Sequence, residues 1–178
     1  MKWYNEPPAW RTDGDAVTVT CGAKTDFWRK THYGFIRDNG HFYFKEVEGD
    51  FVAEVKVSGE YQALYDQAGL MLRADEENWL KCGIEFVEGV QHLSVVVTHD
   101  FSDWSVAPLP ENPPSIWLRV TRKAEAVEVE YSLDGASYTL ARVTYMGEAP
   151  RMQVGVMCAS PEGNGFLTSF EGFAVRNA

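Results

Sequence analysis

The chain has 178 residues, of which 45% are hydrophobic and 24% charged, with 13% aromatic and a formal net charge of -10. These proportions suit a globular protein with one substantial core, so residues 1–178 are expected to form a single domain. The acidic balance disfavours nucleic-acid binding, no apolar run reaches the length of a membrane span, and the start, Met1-Lys2-Trp3-Tyr4-Asn5-Glu6-Pro7-Pro8, lacks the apolar stretch of a secretory signal.

Residues 16–21 read as a strand. Residues 25–39 form an aromatic, charged loop, with Asp26-Phe27-Trp28-Arg29 followed by His32-Tyr33-Gly34. A second strand opens at His41-Phe42-Tyr43-Phe44. Residues 50–57 alternate cleanly, with Phe51, Ala53, Val55 and Val57 inward, because successive side chains of a strand point to opposite faces. Residues 67–73 and 78–86 alternate in the same way, and 75–78 allow one helical turn at most. Further strands are expected at 91–99, 115–123, 126–132, 138–144, 152–159 and 165–175. Residues 101–115 read as a loop, since 107–114 carry four prolines and must cross a sheet edge. Turn chemistry separates these runs at Asp38-Asn39-Gly40, Glu48-Gly49-Asp50, Glu88-Gly89 and Pro161-Glu162-Gly163. Asp134-Gly135, between two alternating runs, is the clearest hairpin signal. Many short strands and no convincing helix predict an all-β antiparallel sandwich. Its core should include Phe51, Val55, Leu70, Leu72, Leu80, Ile84, Leu118, Val120, Val129 and Val156.

The three cysteines, Cys21, Cys82 and Cys158, are an odd count set in strand-like runs. They fit buried free thiols better than disulfides or a zinc site, and with the N-terminus they point to a cytoplasmic protein.

The two runs at 67–73 and 78–86 carry the main functional signal. The connection between them is short enough to force an antiparallel hairpin. Ala68, Leu70 and Leu72 share a buried face with Leu80, Cys82, Ile84 and Phe86. The opposite face receives Gln67, Arg73, Trp79, Lys81 and Glu85, with Gln67 brought near Glu85 and Arg73 near Trp79. Sugar rings stack on indoles and need amide, carboxylate and guanidinium partners, so this inventory suits a polar, ring-shaped ligand. Gly69 and Gly83 share the parity and are expected to leave room for a ring close to the backbone. By the same parity, 91–98 add Ser94 and Thr98, and 115–121 add Trp117 and Arg119. The competing reading is a ladder of cross-strand ion pairs, Lys81 or Arg119 against Glu85, covering a bare sheet.

Signals for catalysis are weaker. A glycosidase needs two carboxyl groups flanking one bond, but Glu85 is followed at two residues by Val87 and preceded at four by Lys81. Glu128 and Glu130 share a face on an exposed strand. The histidines His32, His41, His92 and His99 lack metal-ligand spacing. Ser102-Asp103-Trp104-Ser105 is no nucleophile elbow, and there is no glycine-rich phosphate loop. Asp13-Gly14-Asp15 and Asp134-Gly135 read as turn formers before calcium ligands. No metal and no cofactor is expected.

Seven motifs occur in order: Trp3-Tyr4-Asn5-Glu6-Pro7-Pro8, Asp26-Phe27-Trp28, Tyr65-Asp66-Gln67-Ala68-Gly69-Leu70, Asn78-Trp79-Leu80-Lys81, Ser102-Asp103-Trp104-Ser105, Tyr131-Ser132-Leu133-Asp134-Gly135 and Ala159-Ser160-Pro161. Together they resemble the regulation-of-enolase protein family (domain of unknown function 1349), and the resemblance spans essentially the whole chain. It implies a concanavalin A-like lectin/glucanase fold, a two-sheet jelly-roll sandwich with one concave sheet. It also implies a link to the control of enolase and galactose metabolism, through a fungal relative, and to modules at the C-termini of some β-xylosidases. It brings no catalytic residue set. The expected function is a non-catalytic carbohydrate- or metabolite-binding module. Trp28, Trp79 and Trp104 would be stacking platforms, and Gln67, Arg73, Lys81, Glu85 and Arg119 polar partners. The ligand would be a saccharide or sugar phosphate, with neither nucleic acid nor membrane as a partner. One alternative is a sugar-active hydrolase using Glu85 with Asp66 or Asp103 from loops. Another is a regulatory domain that binds a metabolic enzyme.

Overall fold

Alternating apolar residues become sixteen strands in the computed structural model, which describes residues 1–178. In chain order the first eight are Lys2–Tyr4 (β1), Ala9–Asp13 (β2), Ala16–Thr20 (β3), Phe27–Arg29 (β4), Ile36–Asp38 (β5), His41–Glu48 (β6), Phe51–Gly59 (β7) and Gln67–Arg73 (β8). Then follow Asn78–Val87 (β9), Val90–His99 (β10), Phe101–Leu109 (β11), Ile116–Lys123 (β12), Ala126–Ser132 (β13), Thr139–Tyr145 (β14), Arg151–Ala159 (β15) and Leu167–Asn177 (β16). There is no helix, and so none long and apolar enough to cross a membrane.

Two seven-stranded antiparallel sheets pack face to face. The front sheet has the order β1-β6-β15-β8-β9-β10-β11, and the back sheet β14-β13-β12-β7-β16-β3-β2. Inward residues of both meet in a cluster of 28 buried side chains that contains all ten expected core residues. Each fully buried Leu, Ile, Val or Phe there contributes about 1.5–3 kcal/mol through apolar surface removed from water. Cys21, Cys82 and Cys158 are buried and free, and burial pushes the Cys82 thiol up to about 12.

A second apolar cluster covers part of the front sheet's outer face. Phe27 and Trp28 of the β4–β5 ribbon pack on Phe42, Met71, Trp79 and Val96. The stretch 25–39 is therefore a short two-stranded roof as well as a loop. Single strands of three residues leave too little alternation to be read in sequence, and the ribbon owes its place to tertiary pins. Ser102 Oγ accepts the Arg29 amide at 2.9 Å, and the Arg29 guanidinium reaches Asp100 at 2.7 Å. Arg73 forms a two-pronged pair with Asp38 at 2.7 and 2.8 Å.

The stretch 101–115 also departs from expectation. Residues Phe101–Leu109 form an edge strand paired with β10 along its length, and only the remainder is loop. Pro108, opposite His92, is tolerated because an edge strand has one side with no partner. Residues 75–78 form a turn in place of a helical one, with the Asp75 carboxylate accepting the Glu77 and Asn78 amides at 2.8 Å.

Candidate binding site

The β8–β9 hairpin has the register its short connection demands: Gln67 opposite Glu85, Gly69 opposite Gly83, Met71 opposite Lys81 and Arg73 opposite Trp79. The ribbon divides the outer face of this hairpin. The Met71–Trp79 half lies under Phe27, whose ring meets Trp79 edge-on with centroids 6.3 Å apart. The Gln67–Lys81–Glu85 half floors a pocket of roughly 110 Å³.

The floor is a buried polar network. A buried ammonium must be fully hydrogen-bonded to be tolerated. Lys81 Nζ donates to Phe27 O at 2.7 Å and to Gln67 Oε1 at 2.6 Å, and lies 3.6 Å from Asp26 Oδ1. Gln67 Nε2 in turn donates to Tyr65 O at 3.1 Å. Glu85 Oε2 accepts Ser94 Oγ at 2.6 Å and the Trp104 indole N–H at 2.8 Å, while Oε1 takes part in no hydrogen bond. Burial pushes the Glu85 carboxyl above the ordinary carboxylate range, and Lys81 and Ser94 offset this only in part.

The walls are aromatic. Trp28 meets Tyr33 edge-on at 5.8 Å, Tyr33 stacks on Phe35 at 5.4 Å, and Tyr65 meets Trp104 at 6.1 Å. Arg37 lies 4.5 Å from the Phe35 ring centre. Tyr65 adopts φ +68, a left-handed conformation costing a bulky residue about 1–3 kcal/mol that persists where surrounding contacts enforce it. Here its amide bonds Phe86 O at 2.7 Å, and the ring is turned to the pocket. The neighbouring Tyr33 phenol, with burial, pushes the Tyr65 hydroxyl up to about 12.

Five of the eight expected site residues line this pocket: Trp28, Gln67, Lys81, Glu85 and Trp104. The structure places the other three outside it. Trp79 is 1% exposed beneath the ribbon and offers no ring face to a ligand. Arg73 is spent on Asp38 and packs its guanidinium 4.6 Å from the Tyr4 ring, so it fastens the roof. Arg119 lies on the back sheet, where β12 pairs with β7 and β13. There it bonds Glu54 at 2.6 Å and Glu130 at 3.5 Å and sits 3.5 Å from the Tyr138 ring centre. The ion-pair ladder weighed against a ligand site is realised at Arg119, with those two glutamates as partners. Trp117 lies on the same sheet.

Gly69 and Gly83 also act differently from expectation. A Cβ on Gly69 would stand 1.8 Å from Cys82 O, and one on Gly83 2.2 Å from Ala68 O. The pair lets two strands approach closely and leaves no space for a ring. Asp26, Tyr33, Phe35, Arg37, Tyr65, Val96, Pro161 and Glu162 complete the pocket. The aromatic density of 27–35 was the signal for Tyr33 and Phe35 in the sequence, and the convergence of the whole set depends on long-range folding of the ribbon.

Two antiparallel seven-stranded sheets with these connections define a jelly-roll sandwich of the concanavalin A-like class. The chain belongs to the family described as "Protein of unknown function (DUF1349)", whose model matches residues 3–178. It is similar to "Regulation of enolase protein 1" of Saccharomyces cerevisiae, 40% identical over 173 residues, covering 97% of this chain and 87% of that protein. A crystal structure of a functionally unknown S. cerevisiae protein superimposes with a TM-score of 0.96 at 39% identity, covering 99% of this chain and 96% of that one. The carbohydrate binding module CBM66 from Bacillus subtilis shares the fold alone, with a TM-score of 0.63 at 9% identity, covering 98% of this chain and 95% of that one.

Proposed function

We propose that this chain is a non-catalytic binding module for a saccharide or a similar polyhydroxylated metabolite. The observation that carries the reading is the pocket itself: aromatic walls over a floor of fixed polar groups, the composition that ring-shaped polar ligands require. The named carbohydrate-binding module among its fold neighbours is consistent with such use of the scaffold.

The hydrolase alternative named Asp66 or Asp103 as the partner of Glu85, and neither lines the pocket. Asp66 is fully buried, its oxygens taken by the Gln62 and Ala63 amides and by Ser160. Asp103 is paired with Arg142 at 3.3 Å and lines a neighbouring groove. Neither stands across the pocket from Glu85.

The test is a thermal-shift screen followed by calorimetric titration with mono- and oligosaccharides and sugar phosphates, since a ligand of the native state raises the midpoint by mass action. Trp104→Ala should abolish any shift. A screen without a single shift, or a shift unchanged in Trp104→Ala, refutes the reading. The name of the yeast relative favours a second role, regulation of a metabolic enzyme through this module. Co-sedimentation with purified enolase, with and without a ligand found in the screen, tests it.

A further inference from the structure

The hydrogen-bond accounting of the pocket limits what it can hold. Its lining brings three carboxylates, Asp26, Glu85 and Glu162, against two cations, Lys81 and Arg37. The Lys81 ammonium is consumed internally, by Phe27 O and Gln67 Oε1, with Asp26 Oδ1 opposite its remaining proton. Arg37 is drawn onto the Phe35 ring and makes no hydrogen bond to the floor. The carboxylates are less committed. Glu85 Oε1 has no donor, Asp26 accepts only the Phe27 amide, through Oδ1, and the exposed Glu162 carboxylate accepts none. What the floor offers a ligand is therefore acceptors and negative charge, inside a ring of aromatic faces, with the Arg37 guanidinium the one free cation, on the wall beside Phe35. Aromatic faces carry negative potential and favour cations, and ammonium-to-carboxylate hydrogen bonds are the strong, charge-assisted kind.

We infer that the pocket selects a sugar ring bearing a free amino group, with its ammonium on Glu85 Oε1 and its ring among Trp28, Tyr65 and Trp104, and that it discriminates against sugar phosphates. The inference rests on the saccharide reading above and narrows its ligand class. A phosphate would meet no free cation on the floor, only Arg37 at the wall, and would face Glu85 and Glu162 across the pocket.

The experiment is isothermal titration of the full chain at neutral pH with four series: glucose, galactose and mannose; their 2-amino-2-deoxy forms; the N-acetylated forms; and the 6-phosphates. Ethanolamine is the ring-free amine. At least one amino sugar should bind about tenfold tighter than its neutral parent, the size of one charge-assisted hydrogen bond. N-acetylation should erase that gain, and the phosphate should bind more weakly than the parent. Glu85→Gln should abolish the amino preference. Glu162→Gln, at an exposed position where folding is not at stake, should reduce it by about threefold. Parents that bind as tightly as the amino forms, or phosphates that bind more tightly, overturn the inference and leave the saccharide reading standing. Ethanolamine binding as tightly as the best amino sugar also overturns it, because the ring is then not read. If no sugar binds in any form, the saccharide reading falls and takes this inference with it.

Discussion

Replacing Arg73 by Met should loosen the roof over the pocket more than it damages the core. Arg73 holds Asp38 through two hydrogen bonds of 2.7 and 2.8 Å, and the Tyr4 hydroxyl donates to the same carboxylate at 2.7 Å. Removing one partner of a fully buried pair costs about 3–5 kcal/mol. Here the Arg73 side chain is 6% exposed but that of Asp38 is 26% exposed, and Asp38 keeps Tyr4. About 2–3 kcal/mol is therefore expected, including the lost packing on Tyr4. In a protein of this size that lowers the melting temperature by about 5–10 °C. Urea unfolding of Arg73→Met, Asp38→Asn and the double variant, with unchanged m values, gives the coupling by a double-mutant cycle. Hydrogen exchange should show faster opening of the amides of 27–38 while those of β8 and β9 stay protected. A coupling below about 0.5 kcal/mol, or unchanged exchange in 27–38, refutes the idea that this pair fastens the ribbon.

Three further outcomes are expected. Gly83→Ala should destabilise by at least about 1–3 kcal/mol by urea unfolding, because its Cβ would stand 2.2 Å from Ala68 O and the residue has φ +157; an effect below that range means the strands can part freely. Burial raises the Glu85 carboxyl above its ordinary value of 4.5, so the folded state holds a proton that the unfolded state has released, and this residue's contribution to stability falls as pH rises from the unfolded value through the folded one. Relative to wild type, Glu85→Gln should therefore gain stability across that window and hold a constant difference above it; a difference flat with pH from 4 to 8 shows that the carboxyl titrates as an exposed group would. Cys21, Cys82 and Cys158 are buried, so the native protein should be silent to a thiol reagent and release three equivalents on unfolding; rapid native labelling at Cys82, whose thiol burial pushes up to about 12, contradicts the packing.

What the sequence disclosed and what it hid divide along one physical line, the range of the interactions that decide each feature. Period-two alternation is local, so the core faces of β7, β8, β9, β12 and β13 were legible, down to the register of the hairpin joining Gln67 to Glu85. Alternation says which side of its own strand a residue takes. It does not say which sheet the strand joins, which is why Arg119 and Lys81 looked like neighbours and stand on opposite sides of the sandwich. Nor does it say what covers a face. Trp79 has the parity of a ligand platform, yet the β4–β5 ribbon buries it, held there by bonds such as Arg29 to Asp100 and Arg73 to Asp38, 71 and 35 residues apart in the chain.

The same ribbon is what turns a sheet face into a pocket. Without it, Gln67, Lys81 and Glu85 would lie on an open sheet, where charges are screened and ion pairs contribute little. With it, Phe27 lends Lys81 a backbone acceptor, Asp26 brings a counter-charge, and Trp28, Tyr33 and Phe35 supply walls. The polar groups are then partly desolvated and held in fixed positions before any ligand arrives, so binding need not order them first. Coverage of the front sheet and competence of the pocket are thus one structural event. A variant that detaches the ribbon should lose ligand affinity even where every floor residue is intact. Arg73→Met, whose side chain lies outside the pocket, separates the two roles. Weakened binding in that variant, at temperatures where it remains folded, places the pocket's affinity in the roof as much as in the floor; full affinity there confines recognition to the sheet.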